Sequence, residues 1–159
     1  MDVIGKSCNV TAEMHWEEFG EKAQVEVSVP VKTLDSGNAL RDGDIFEILK
    51  ADLTPNIRFV SEWLKKSAWG KMMEGQIPEV SGNLEVAGGI FPVKFALSFS
   101  KQAGIIFVEG RLKTTFSALN VDVPLVVGGL IADPQDELEL LLHLRLDKIA
   151  GAGKIKKIK

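Results

Sequence analysis

Val25, Val27, Val29 and Val31 alternate with Glu26, Ser28, Pro30 and Lys32, the period of two that marks a half-buried strand over residues 24–34. Pro30 cannot donate to a ladder, so it places this strand at an edge, a bulge or a non-bonded position. The same alternation recurs in Ile57, Phe59, Ser61 and Trp63, and again in Val80, Gly82, Leu84 and Val86. It is most regular in Phe91, Val93, Phe95, Leu97 and Phe99, set against Pro92, Lys94, Ala96, Ser98 and Ser100. Gly88-Gly89 and Gln102-Ala103-Gly104 are the expected turns on either side. Residues 105–115 read as a further strand with apolar residues in both alternating sets. Leu138, Leu140, Leu142, Leu144 and Leu146 form a last strand against Glu139, Leu141, His143, Arg145 and Asp147. Leucine also favours helix, but leucine at every second position does not fit a 3.6-residue face. Residues 3–10 read as one short strand, and residues 11–20 are too mixed to assign. Residues 119–136 form a long connection, with room for a short helix or strand at 125–131.

Residues 32–59 interrupt this β pattern. Asp35-Ser36-Gly37-Asn38 is turn chemistry. Asp44 is then placed to cap a short helix, with Glu47 completing a capping box and Pro55 ending it. Ile45, Ile48 and Leu49, extended by Leu53, give that helix one apolar stripe. Residues 65–76 read as a loop carrying Trp69, Met72 and Met73. The sum is an all-β fold, an antiparallel barrel or sandwich, with one short helix closing an end.

At 159 residues and 45% hydrophobic content, the chain supports one domain with a sizeable core, assigned to residues 1–149. Residues 150–159 are expected to be a flexible basic tail. Lys154, Lys156, Lys157 and Lys159 are a basic cluster there that could meet anionic lipid. The net charge of −3, with signs interspersed, gives no nucleic-acid footprint. Cys8 is the only cysteine, which excludes an intramolecular disulfide. No apolar run has the ~18 residues of a transmembrane helix. Met1-Asp-Val-Ile-Gly5 lacks the pattern of a secretory signal, which makes the cytoplasm the compartment suggested by this stretch.

Two histidines far apart and one cysteine offer no metal-ligand spacing, so no metal site is expected. No Gly-x-Ser-x-Gly elbow or recognisable Cys/His motif exists, so no catalytic residue is assigned and no enzyme is expected. Gly151-Ala-Gly-Lys-Ile155 is not a phosphate loop, because Lys148 stands where its first glycine belongs and Ile155 replaces the Ser/Thr. The better lead is physical. Strands of ~10 to 12 residues at ~3.3 Å each would make a tall barrel whose interior side chains cannot fill. On the alternation, Val25, Val27, Val29, Phe59, Val93, Phe95, Leu97, Leu140, Leu142 and Leu144 face that cavity, and Ile45, Ile48 and Leu49 cap one end. Asn38, Asp42 and His143 are candidates for contacts to a head group.

An ordered set of fragments points the same way. Val27-Ser-Val-Pro-Val-Lys-Thr-Leu-Asp-Ser-Gly37 is followed by Arg41-Asp42, Ile48-Leu-Lys-Ala-Asp52 and Pro55-Asn-Ile-Arg-Phe59. Val80-Ser-Gly-Asn-Leu-Glu-Val-Ala-Gly88 and Phe91-Pro-Val93 come after them. In this order and spacing the chain closely resembles the YceI-like, polyisoprenoid-binding family over about residues 3–149. The resemblance implies an elongated antiparallel lipocalin-like barrel with a helix in the connection before Pro55. It implies nonenzymatic binding, storage or transport of an amphiphilic lipid, a polyisoprenoid or isoprenoid quinone, commonly in the periplasm. It carries no catalytic motif or other cofactor, and a homodimer is a candidate assembly. Two other classes compete: a structural or stress-response module with a filled core and no lipid, and an enzyme acting on a lipid, which would need a convergent polar site inside the barrel.

Overall fold

The computed structural model of the chain describes residues 5–120, 126–127, 130–131, 137–153 and 155. Strands β1 (Thr11–Trp16) and β2 (Lys22–Pro30) precede helix α1 (Ala39–Ile48) and strand β3 (Asn56–Ser61). The short β4 (Leu64–Lys65) leads into helix α2 (Lys66–Met73). Then come β5 (Glu79–Val86), β6 (Gly89–Gln102), β7 (Ile105–Thr115), β8 (Val126–Val127), β9 (Leu130–Ile131) and β10 (Glu137–Arg145). One antiparallel sheet runs β1-β2-β3-β5-β6-β7-β10, with β4 added beside the start of β2; β8 and β9 pair separately. The sheet curls into a half-barrel.

The register explains why the alternations add up. Val27 lies opposite Phe59, Phe59 opposite Leu84 and Leu84 opposite Phe91. Leu97 lies opposite Gly110, and Gly110 opposite Leu142. Directly paired residues share a face, so each strand's apolar set joins its neighbour's into one inner surface. The two long hairpins turn through Ala87-Gly88 and Ala103-Gly104, all four residues at positive φ. Such two-residue turns match the right-handed twist of the strands. The first turn is one residue earlier than the glycine pair suggested: Gly89 is already paired with Val86.

Several expectations need correcting. The first strand is Thr11–Trp16 rather than residues 3–10; of that earlier stretch, Lys6 makes an isolated bridge with Asp35, and Val3 and Ile4 lie outside the described residues. Ala12 and Met14 are buried while Thr11, Glu13 and His15 are exposed, an alternation that the small alanine disguised. β2 stops at Pro30, and Val31 opens a 3-10 turn through Thr33. Pro30 pairs with Asn56 on one side only, since β1 reaches no further than Ser28, so its missing N–H costs no ladder bond there.

α1 starts at Ala39, not Asp44. Asn38 is extended and its side chain accepts from the Arg41 N–H at 3.1 Å, which satisfies one orphan donor of the first turn. The helix ends before Pro55 is reached. The Ala51 N–H donates to Phe46 O and the Lys50 N–H to Glu47 O, with Lys50 at φ 53. This is a Schellman closure with lysine where glycine usually stands. Leu53 is 73% exposed and leaves the stripe.

The expected loop at 65–76 contains α2. Gly70 and an N-cap lysine with no side-chain hydrogen bond hide it locally; tertiary burial of Trp69 and Met72 at i, i+3 forms it. The Trp69 indole N–H donates to Ala23 O at 3.0 Å. α2 lies beside the start of β2, whereas α1 follows its end, so the two helices occupy opposite ends of the curl.

The expected tail boundary also moves. Met14 N–H donates to Ala150 O at 2.7 Å, and Ala150 N–H to Ala12 O at 3.3 Å. The Trp16 indole N–H donates to Gly151 O at 2.9 Å. Ala152 and Ile155 are 2% and 6% exposed, and both join the core. Ala150 and Gly151 thus meet the free edge of β1, and Ala152 and Ile155, small and apolar, are covered by the core. Lys154, Lys156, Lys157 and Lys159 lie outside the described residues. In the 119–136 connection, the backbone of β8 and β9 forms a small hairpin beside α1.

Candidate functional site

The ten cavity candidates share the inner face. Phe59 and Phe95 are buried, and their rings meet edge to face with centroids 4.9 Å apart. Two inward glycines give them room. A Cβ at Gly82 would lie 2.7 Å from the Phe59 ring tip, and one at Gly110 would lie 3.5 Å from the Phe95 ring. The other eight, Val25, Val27 and Val29 on β2, Val93 and Leu97 on β6, and Leu140, Leu142 and Leu144 on β10, are only half-buried.

Burial across the sheet is therefore uneven. Val80, Leu84 and Val86 of β5 are closed over, whereas β2 and much of β6, β7 and β10 keep part of their inward apolar surface uncovered. Among the described residues Ser61 is the one buried polar side chain, and it is internally satisfied: its hydroxyl accepts from Val25 N–H and donates to Glu62 O, each at 2.9 Å. The inner surface thus offers dispersion contacts and almost no directed polarity.

The helices treat the two ends differently. α2 drives Trp69 and Met72 into the core. α1 has no fully buried residue: Ile45, Ile48 and Leu49 are half-buried, with Ile48 and Leu49 packed against the core cluster.

The head-group candidates are not gathered inside. His143 faces away from Leu142 and Leu144, stacks on Phe107 at 5.2 Å and contacts Glu109 at 3.2 Å. Asp42 accepts from the Ser36 N–H at 2.9 Å and from the Ser36 hydroxyl. Arg41 donates to Ser36 O at 2.8 Å. With Asn38 as the helix cap, this network holds the turn before α1.

Charge is kept to the outer face. Arg58 bridges Glu26 at 2.5 Å and Glu85 at 2.9 Å across three strands, and His15 contacts Glu26 at 3.2 Å. The hydrogen bond from Arg58 holds the Glu26 carboxyl below the usual carboxylate range, and the same bond raises Arg58. Among the described residues, no group of three or more His, Cys, Asp and Glu side chains is placed to hold a metal ion, and no helix is long and apolar enough to cross a membrane.

A cleft that sequence reasoning missed lies on the other flank of α2. Its volume is about 380 Å³. Trp63, Leu64, Ala68 and Ile77 supply apolar lining, and Lys22, Lys65 and Lys71 supply cations. Reading α2 as a loop hid it, because helical spacing is what brings Ala68 and Lys71 to one side.

The fold recurs in known proteins. BcnA of Burkholderia cenocepacia superposes with a TM-score of 0.60 at 16% identity, over 89% of this chain and 91% of that one. The YceI protein of Campylobacter jejuni superposes with a TM-score of 0.57 at 13% identity, over 91% and 84%. A comparison with curated proteins finds no match. The sequence profile of the YceI-like domain matches residues 2–144, nearly the whole curled sheet, and the chain accordingly belongs to the YceI-like family.

Proposed function

We propose that this chain is a nonenzymatic carrier or store for an isoprenoid or isoprenoid-quinone lipid whose apolar chain lies along the inner face. One observation carries the reading: Val25, Val27, Val29, Val93, Leu97, Leu140, Leu142 and Leu144 face inward on a concave surface yet stay half-exposed. A sandwich with a finished core would bury them. Covering such surface with hydrocarbon gains about 25 cal/mol per Å², or roughly 0.8 kcal/mol per methylene, without any directed contact. The class of lipid, and the periplasm as its compartment, come from the family resemblance.

In this reading Ala150 closes the sheet to a barrel by joining the continuation of β10 to β1. Trp69 and Met72 plug the α2 end, so the chain enters beneath α1, where Ile45, Ile48 and Leu49 shield the opening. The filled-core alternative finds support at the α2 end and along β5, where Val80, Leu84 and Val86 are buried with Phe59 and Phe95 beside them.

Native mass spectrometry of gently purified protein, followed by solvent extraction, tests the proposal. A co-purified prenyl lipid, or uptake of an octaprenyl quinone with a rise in melting temperature, is expected; ligand at a hundred times its Kd should stabilise by about 2.7 kcal/mol. The absence of both co-purified lipid and uptake would refute it.

A further inference from the structure

The α2 cleft combines two chemistries that the barrel interior keeps apart. Its apolar lining comes from Trp63, 46% exposed, together with Leu64, Ala68 and Ile77. At the same opening stand Lys22 from β2, Lys65 from β4 and Lys71 from α2. None of these lysines forms an ion pair with a described residue. No carboxylate lines the cleft, in a chain whose net charge is −3. Three like charges converging without a counter-ion repel one another, and an anion between them relieves that repulsion. Ser67, at the start of α2, adds a hydroxyl that can donate to the same anion.

We propose that this cleft is a second, exterior binding site for an anionic amphiphile: a short hydrocarbon segment against Trp63, Leu64, Ala68 and Ile77, and a phosphate-type or carboxylate head held by Lys22, Lys65 and Lys71. The volume of about 380 Å³ is at the small end of ligand pockets and suits one head with part of a chain, not a long polyisoprenoid. α2 separates the two sites, because Trp69 and Met72 on its inner side are packed into the core. The proposal therefore stands whether or not the barrel interior takes a lipid.

The test uses the full chain and three probes: farnesyl diphosphate, farnesol and inorganic diphosphate. Calorimetric titration at low salt should give a Kd for farnesyl diphosphate at least tenfold below that of either other probe, weakening as salt is raised. Replacing Lys22→Gln, Lys65→Gln and Lys71→Gln together should remove at least tenfold of that affinity. These are exposed positions, so folding should survive, and circular dichroism checks it. Ala68→Trp, which fills the cleft, should reduce farnesyl diphosphate binding while octaprenyl quinone uptake is unchanged. Equal binding of farnesol and farnesyl diphosphate, or an unaltered Kd in the triple variant, overturns the proposal. Loss of quinone uptake in Ala68→Trp would do the same, because it would place both ligands at one site. Failure of quinone uptake in the wild-type chain would count only against the barrel reading.

Discussion

At Ala103 the backbone sits at φ 51, beside Gly104 at φ 81. An L-residue in this region is strained by roughly 1–2 kcal/mol, and asparagine tolerates it better than alanine. Ala103 is exposed, so Ala103→Asn should raise stability by about 0.5 kcal/mol in urea denaturation without touching any contact. A lower midpoint would show that the turn is not of this type. Gly151 is the opposite case. It has φ 85, and a Cβ there would lie 2.4 Å from Met14 O, so Gly151→Ala should cost about 1–3 kcal/mol and weaken the link between Ala150 and β1. The bridge of Arg58 to Glu26 has a pH signature. Glu26 titrates lower in the folded chain than in the unfolded one, so its contribution is present above the ordinary carboxylate pKa and lost as pH falls through the folded value. Arg58→Gln should flatten the melting curve's dependence on pH in that acid window, by no more than about 1 kcal/mol for so exposed a pair. An unchanged pH profile would leave the bridge without energetic weight. Glu26 and Arg58 are visible in the sequence as outward-facing residues; their meeting is not, because β2 and β3 are paired across the whole of α1.

Between the elements, the contrast of the two helices is the instructive one. α1 was legible because it carries its own signals: turn residues before it, a polar cap and an apolar stripe. Its start was misjudged, since Asn38 does the capping that Asp44 was expected to do and Gly43 makes an earlier start look costly. α2 carries almost no local signal, and Trp69 with Met72 becomes a helical stripe only against Ala23 and the core. The energetic ranking should follow burial rather than legibility. Trp69→Ala is expected to cost about 3–5 kcal/mol. Ile48→Asp, on a half-buried position, should cost less than half of that while speeding loss of bound lipid. If the two variants melt alike, α1 is as much a part of the core as α2.

For the molecule as a whole, the decisive question is how the first and last strands of the curl meet. Ending the chain after Ile149 removes the Ala150 bridge and the buried Ala152 and Ile155. The loss should be at least about 2 kcal/mol, a fall in melting temperature of about 4–8 °C for a domain of this size. A free tail would leave the melting temperature unchanged. Sequence alone determined the sheet's inner surface. A period of two is a local property, and the inward sets of Val25 to Val29, Phe91 to Phe99 and Leu138 to Leu144 need only the pleat to face one way. It also determined the family, because the ordered fragments run through those same strands. Tertiary structure decided what periodicity does not encode. It turned residues 66–73 into a helix, drew Ala150 and Gly151 onto β1, set His143 against Phe107 and Glu109, and brought Lys22, Lys65 and Lys71 to one cleft. Each of these outcomes depends on groups far apart in the chain, whose contacts form only when the sheet has curled and the hydrophobic effect has chosen which faces to cover.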